Sequence, residues 1–141
     1  MKTAYAPAAW TLIDIGRNAM METDLGERMK QFALRIIRLY SALPKRGAGQ
    51  VLGIQVLKSG TSPGAQYREA KRAKSDADFI SKIEGALQEL DETQYWLELI
   101  SEGNILSAER LEPLHREAEE LIAILVTIVK RVKMRGRSRR R

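Results

Sequence analysis

The sequence predicts an all-α protein, a single antiparallel up-down-up-down four-helix bundle. Its 141 residues are close to the usual size of one domain. Four segments repeat apolar residues every three or four positions, which is the period of a helix packed along one face. No segment keeps the alternation of a strand. Because the breaks between segments are short, successive helices must run antiparallel.

The first helix is predicted to begin near Asp24, a plausible N-cap, and to end at Leu43 before Pro44. Its apolar residues step by four and three positions, as in a bundle helix. They are Leu25, Met29, Phe32, Ile36, Leu39 and Leu43. Three more residues widen this stripe: Ala33, Ile37 and Tyr40.

The second helix is predicted from Gln50 to Lys74, with Val51, Ile54 and Leu57 on its apolar face. The pattern weakens over residues 59–64, where Pro63 lacks an N–H group and crowds the preceding turn. Propensity favours two outcomes equally. The helix breaks here, or it continues with a kink, its small residues close to a partner helix and its hydroxyls satisfying the freed backbone.

The third helix has the clearest boundaries. Ser75 and Asp78 resemble a capping box, and Gly103-Asn104 is a C-cap signal. Its seam consists of Phe79, Ile83, Ala86, Leu90, Thr93, Leu97 and Ile100.

The fourth helix opens at Ser107, and Pro113 predicts that its regular part follows Glu112. Its seam consists of Leu111, Leu114, Ala118, Leu121, Leu125, Ile128 and Val132. These elements predict an N-terminal extension over residues 1–23, the bundle over 24–132 and a disordered basic tail over 133–141.

Charge is concentrated at the C-terminus. Residues 130–141 hold eight basic and no acidic side chains, whereas residues 1–129 have a net charge of −2. The pI of about 9.8 therefore reflects the tail. The chain has no cysteine, which excludes disulfides and thiolate chemistry. It also has no apolar run long enough to span a bilayer and no signal-peptide pattern, so we expect a cytoplasmic protein without a membrane partner.

Three stretches together resemble a known family. They are residues 58–70, the pattern Ser75-x-x-Asp78-Phe79-Ile80-x-Lys82, and the pattern Glu89-x-x-Glu92-Thr93-x-Tyr95-Trp96-Leu97. Over residues 24–130 the chain resembles the bacterial four-helix-bundle proteins encoded in intervening sequences of 23S ribosomal RNA genes. That family is similar to the accessory variability protein of diversity-generating retroelements. The family usually reads Ser-Ile-x-x-Asn in the second helix, where this chain has Pro63 and Gln66.

The resemblance implies a continuous second helix and a ring-shaped homo-oligomer, typically a pentamer. It also implies basic surfaces suited to nucleic acid. The retroelement relative binds a reverse transcriptase and RNA, which makes a reverse transcriptase a candidate partner here.

Two groups of basic residues are candidate nucleic-acid contacts. The first is the tail, with Lys133, Arg135, Arg137, Arg139, Arg140 and Arg141. The second comprises Arg68, Lys71, Arg72 and Lys74, of which the first three share a helical face. The tail could instead serve only solubility, and the second group could form ion pairs with Asp76, Asp78 or a neighbouring helix.

Four polar residues interrupt otherwise apolar helices: Glu69, Lys82, Glu89 and Glu92. We expect a structural network, with Lys82 near Glu89, rather than a catalytic carboxylate pair. Trp96 is the expected oligomer contact, with its neighbour Tyr95 as an alternative base-stacking residue. Glu112-x-x-His115 is half of a di-iron motif, but His115 is the only histidine, so no metal or other cofactor is expected.

The sequence therefore predicts a non-enzymatic, oligomeric scaffold that binds RNA or DNA through its basic surface and tail. The alternative is a protein–protein adaptor with no direct role in nucleic-acid binding.

Overall fold

The computed structural model describes the backbone of residues 12–140 and the side chains of residues 25–140. The described chain forms four helices without a strand: α1 (Leu12–Ala42), α2 (Gly47–Lys71), α3 (Asp76–Glu102) and α4 (Ala108–Arg139). Helix α2 packs against α1 and α3, and α3 also packs against α4. The predicted all-α four-helix bundle is thus confirmed. None of the described helices is long and apolar enough to cross a membrane.

Helix α1 begins earlier than its sequence suggests. It starts at Leu12, so Asp24 lies inside the helix instead of capping it. No proline interrupts residues 12–42, and a helix that has been nucleated extends readily. Its C-terminus follows the prediction to within one residue. Helix α1 ends at Ala42, and Leu43 and Pro44 follow it. The rest of the predicted N-terminal extension, residues 1–11, lies outside the described residues.

Helix α2 continues through Pro63, as the resemblance implies. The turn before the proline gains hydroxyl hydrogen bonds to the backbone. Thr61 Oγ1 donates to the Leu57 carbonyl at 2.7 Å, and Ser62 Oγ donates to the Lys58 carbonyl at 2.6 Å. Such bonds to carbonyls one turn earlier are typical of bent helices, but neither of the two reaches the Ser59 carbonyl, which the missing Pro63 N–H leaves without its helical partner.

The predicted core face of α2 is wrong. Val51 and Ile54 are 59% and 45% exposed, and Ile37 and Tyr40 of α1 are also exposed. Small residues and Tyr67 line the core instead. The buried residues of α2 are Gly49, Gly53, Val56, Ser59, Gly60, Pro63, Tyr67 and Ala70.

This inward face is small because neighbouring helices approach α2 closely. A Cβ placed on Gly60 would lie 2.7 Å from Ile36 Cγ1 of α1. On the other side, a Cβ on Gly85 of α3 would lie 2.8 Å from Gln66 Nε2. The Gln66 side chain is flexible and can move aside, whereas Ile36 is fully buried, so the close approach of α1 and α2 depends on Gly60. Hydrophobic periodicity does not register this constraint.

Helix α3 has the predicted caps. Ser75 Oγ accepts a hydrogen bond from the Asp78 N–H at 3.0 Å, and an Asp78 carboxylate oxygen accepts one from the Lys74 N–H at 3.3 Å. At the other end, the Gly103 N–H donates to the Leu99 carbonyl. Asn104 takes the left-handed conformation, with φ of 59°.

Helix α4 opens as predicted, with Ser107 as its N-cap residue, but it differs from its prediction at Pro113 and at its C-terminus. It begins at Ala108, so Pro113 lies inside the helix. The proline sits near the exposed N-terminus, where losing one backbone hydrogen bond costs less. Residues 133–139, predicted as a disordered arm, continue α4. Arginine, lysine and methionine favour helices, and this favours propagation despite Gly136, which costs roughly 1 kcal/mol relative to alanine.

The edge between α1 and α4 is the least closely packed contact among the described residues. An arginine crosses it: the Arg28 guanidinium of α1 donates to the carboxylates of Glu117 and Glu120 of α4. These hydrogen bonds raise the pKa of Arg28, and the bond to Glu117 makes the largest contribution. A charged fork thus holds two helices together where apolar contact is sparse.

Candidate nucleic-acid interface

Both predicted groups of basic residues lie at one end of the bundle. The up-down order returns the C-termini of α2 and α4 to the same side. Two cross-helix ion pairs place them at one level: Lys82 of α3 lies 3.3 Å from Glu69 of α2, and Lys133 of α4 lies 3.1 Å from Glu84 of α3. We call this region the basic end, made of an α2 group (Arg68, Lys71, Arg72 and Lys74) and an α4 group (the basic residues of 130–140).

The α2 group forms a shallow concave surface. Arg68, Lys71 and Arg72 line a depression of about 420 Å³ together with Glu69. Lys71 Nζ lies 5.6 Å from the centre of the Tyr67 ring, a cation–π contact that positions the amine. The two arginines are exposed and sit near the end of α2, where the helix dipole favours cations.

The alternative role of the α2 group as ion-pair partners finds no support in the described residues. None of the ion pairs there involves Arg68, Lys71, Arg72 or Lys74. Asp78 instead accepts the backbone N–H of Lys74 as part of the α3 cap. Within the described part of the chain, these four cations therefore have no ion-pair partner.

The α4 group is presented on a helix. Arg137, Arg139 and Arg140 are exposed, whereas Lys133 contacts Glu84 and Arg135 is half-buried. At 100° per residue, basic side chains in this stretch point to all sides of the helix axis. The remaining predicted tail residue, Arg141, lies outside the described residues.

Charge is segregated along α4. Before residue 121 the helix carries more acidic than basic side chains, and after residue 129 every charged side chain is basic. The acidic ones are Glu109, Glu112, Glu117, Glu119 and Glu120. The charge of α4 therefore changes sign along the helix, from negative in its first half to positive at its C-terminal end.

The predicted polar network is divided into two separate clusters. Lys82 pairs with Glu69, not with Glu89. Glu89 lies instead among Glu92 and Lys58. Burial raises the pKa of Glu89, the Glu92 carboxylate raises it further, and Lys58 lowers it. Both clusters join α2 to α3, which supports a role in fixing helix register.

The contacts around His115 join helices α3 and α4. His115 Nε2 lies 3.5 Å from Glu98, and the half-buried side chain sits at the edge of the bundle. Gln94 Nε2 donates to Glu119 at 2.6 Å and to the His115 carbonyl at 3.3 Å, so it bridges α3 and α4. Within the described part of the chain, no three His, Asp or Glu side chains are placed to hold a metal ion.

An apolar surface on α1 and α2 escaped the sequence interpretation. Leu34, Ile37 and Tyr40 of α1 and Ile54 of α2 are at least about a third exposed. The apolar period assigned several of them to the core. Only the small residues along one face of α2 could have indicated that this face, and not the large apolar side chains, packs inward. Large exposed apolar side chains that are close together are typical of protein contacts.

Trp96, the predicted oligomer contact, is only half-exposed. Its ring stacks on Tyr95 with centroids 5.2 Å apart, and Tyr95 is 51% exposed. Trp96 Nε1 is buried and has no hydrogen-bond partner among the described residues. The exposed aromatic surface of α3 is therefore mainly that of Tyr95.

The fold and the surface together define the class of this protein. It is an all-α bundle of four antiparallel helices with one cationic end. The model of the 23S rRNA-intervening sequence protein family matches residues 21–127, and the chain belongs to this family. A similar solved structure is that of a protein of unknown function from the S23 ribosomal protein family of Bacteroides thetaiotaomicron. It is 38% identical, with a TM-score of 0.70, and the match covers 75% of this chain and 98% of that one. A comparison with curated proteins gave no match.

Proposed function

We propose that this protein is a non-enzymatic scaffold that binds nucleic acid, RNA or DNA, through its basic end. The observation that carries the proposal is that the α2 and α4 groups lie at the same end of the bundle, on either side of α3, at the level of the Glu69–Lys82 and Glu84–Lys133 pairs. Clustered lysine and arginine side chains neutralise phosphates and release counterions.

The local chemistry supports phosphate contacts rather than catalysis. Arg68 and Arg72 present guanidinium groups at the rim of a concave surface, and guanidinium groups bind phosphate oxygens in bidentate fashion. Among the described residues, the lining of this depression offers three cations and one carboxylate, Glu69, which Lys82 already contacts. Such a surface holds an anion without supplying a nucleophile.

In this proposal the scaffold acts as a homo-oligomer. The expected form is a pentamer, as the resemblance to the family implies. The exposed apolar residues of α1 and α2 support it, because a lone subunit would leave Ile37, Tyr40 and Ile54 in water. Sedimentation of the purified protein tests this part. We expect a mass several times that of one chain, falling when Ile37→Lys and Ile54→Lys are combined. A monomeric parent protein would contradict it.

The physiological partner we propose is a reverse transcriptase, which the protein would assist with RNA, as the retroelement relative does. A second candidate function is protein–protein adaptation without nucleic acid. The same exposed residues, Ile37, Tyr40 and Ile54, favour it, since they suit a partner protein as well as a second copy.

Binding of structured RNA and duplex DNA across a salt series separates these functions. Three proteins are compared: the full chain, a chain ending at Met134, and the variant Arg68→Gln/Lys71→Gln/Arg72→Gln. The scaffold requires tight binding that weakens steeply as salt rises, and each phosphate-binding cation that is removed should make the salt slope about one unit shallower. Weaker binding after truncation assigns the interface to α4, and weaker binding by the triple variant assigns it to α2.

Circular dichroism of both altered proteins provides the control for folding. If the full chain binds neither nucleic acid at low salt, the scaffold function is wrong and the adaptor takes its place.

A further inference from the structure

We infer that the basic end binds double-helical nucleic acid by its phosphate backbone and discriminates against single strands. The inference rests on the proposed function, to which it adds the form of the ligand. It depends on three features of the described residues: the charge density of α4, the distribution of its cations around the helix, and the location of exposed aromatic side chains.

The charge density of the α4 group lies between that of one strand and that of a duplex. Residues 130–140 include seven basic side chains: Lys130, Arg131, Lys133, Arg135, Arg137, Arg139 and Arg140. At 1.5 Å per residue they span about 15 Å, or about 2.5 Å per cation when Lys133, which pairs with Glu84, is left out. A duplex carries one phosphate charge per ~1.7 Å of its axis, about twice the density of one strand.

The cations surround the helix instead of forming one stripe. Arg137 and Arg139 are two residues apart, so their side chains leave α4 in directions about 160° apart. A single strand contacts one side of such a rod. A duplex groove has phosphates along both walls, so a helix near it can use cations on opposite sides.

Stacking platforms are missing from the described part of the basic end. Its aromatic residues, Tyr67 and Phe79, are each 2% exposed. The exposed tyrosines, Tyr40 and Tyr95, lie toward the opposite end, near the C-termini of α1 and α3. Proteins that hold single strands stack bases on exposed aromatic rings. The described surface offers phosphate contacts without that source of affinity.

Because α4 is already helical through Arg139, the cations are held in place before the ligand arrives. A rigid array of charges suits a rigid polymer, since neither partner loses much conformational freedom on binding. A single strand would have to be ordered along the array, and the described surface offers no stacking that would offset this cost.

The test compares a DNA duplex and an RNA duplex of about 20 base pairs with unstructured single strands of the same length, at about 50 mM salt. We expect both duplexes to bind about tenfold or more tightly than the single strands. Combined replacement Arg137→Gln/Arg139→Gln/Arg140→Gln should reduce the salt slope for duplexes by about 2 to 3. The matched control, Arg38→Gln/Lys45→Gln/Arg46→Gln, removes three charges from the opposite end and should leave duplex binding unchanged.

Three results would overturn the inference in distinguishable ways. Single strands that bind as tightly as duplexes would refute duplex preference and leave the proposed function intact. Absence of binding to every probe would refute both. An equal loss of affinity in the control variant would show that charge anywhere on the bundle suffices, which also contradicts a dedicated basic end.

Discussion

Thr93 of α3 and Ser59 of α2 form a hydrogen bond between their hydroxyl oxygens, 2.8 Å apart, in the buried centre of the bundle. Thr93 is fully buried and Ser59 is 2% exposed. Thr93 Oγ1 also lies 2.7 Å from the Glu89 carbonyl, and Ser59 Oγ lies 3.5 Å from the Val56 carbonyl. The pair therefore links the closely packed helices α2 and α3 where neither hydroxyl has access to bulk water.

The first prediction concerns this pair. Thr93→Val should lower the free energy of unfolding by about 1 to 3 kcal/mol, because Ser59 is deprived of its partner in the core. The double variant Ser59→Ala/Thr93→Val should cost less than the sum of the single changes, since it leaves no orphaned hydroxyl. Urea unfolding of the four proteins measures the coupling. Strict additivity would mean that the two hydroxyls do not interact.

The second prediction compares two glycines. Gly60→Ala should destabilise the bundle by about 1 to 3 kcal/mol, because the new Cβ meets Ile36 and forces α1 away from α2. Gly136→Ala is the matched control: it lies in α4 with no atom near the new Cβ, and should stabilise the helix by up to about 1 kcal/mol. Thermal unfolding reports both effects. A neutral Gly60→Ala would contradict the close approach of these helices.

The third prediction concerns the edge between α1 and α4. Arg28→Ala should cost about 1 to 2 kcal/mol, since it removes a fork bound to two carboxylates where apolar packing is sparse. Arg116→Ala breaks an exposed pair with Glu112 within one helix and should cost less than about 0.5 kcal/mol. Equal costs in chemical denaturation would show that the crossing position of Arg28 has no special importance.

Sequence patterns predicted the caps of α3 and the helix count because these depend on local chemistry. Ser75 and Asp78 cap α3 wherever the rest of the chain lies. The burial of α2 was not predictable in this way, because Gly53 and Gly60 face the core through the approach of α1, a tertiary effect. Apolar residues such as Ile54 were consequently assigned to the wrong face.

Prediction of the candidate site was limited in the same manner. The i, i+3, i+4 spacing indicated that Arg68, Lys71 and Arg72 share a face. It could not indicate that α4 ends at the same end of the bundle, which depends on helix lengths and on the level set by Lys133 and Glu84. The helical state of residues 133–139 was also missed, since a run of charges is usually interpreted as a solvated tail.

The fourth prediction is a pH dependence at Glu89. Burial raises the pKa of this carboxyl in the folded protein above its value in the unfolded chain, and the charge of Glu92 adds to the shift. Between the two pKa values the folded protein binds more protons, so stability falls as pH rises through that window, and above it the penalty is complete. Glu89→Gln removes the penalty.

We therefore expect Glu89→Gln to be more stable than the parent protein at about pH 8, by less than about 1 kcal/mol because the group is only partly buried. At about pH 3, where the carboxyl is protonated in both states, the two proteins should be equally stable. Glu84→Gln is the control: it removes an exposed carboxylate of α3 that pairs with Lys133, so any stability effect at about pH 8 should have the opposite sign. Unfolding curves at the two pH values decide the matter, and a less stable Glu89→Gln protein at the higher pH would mean that attraction to Lys58 outweighs burial.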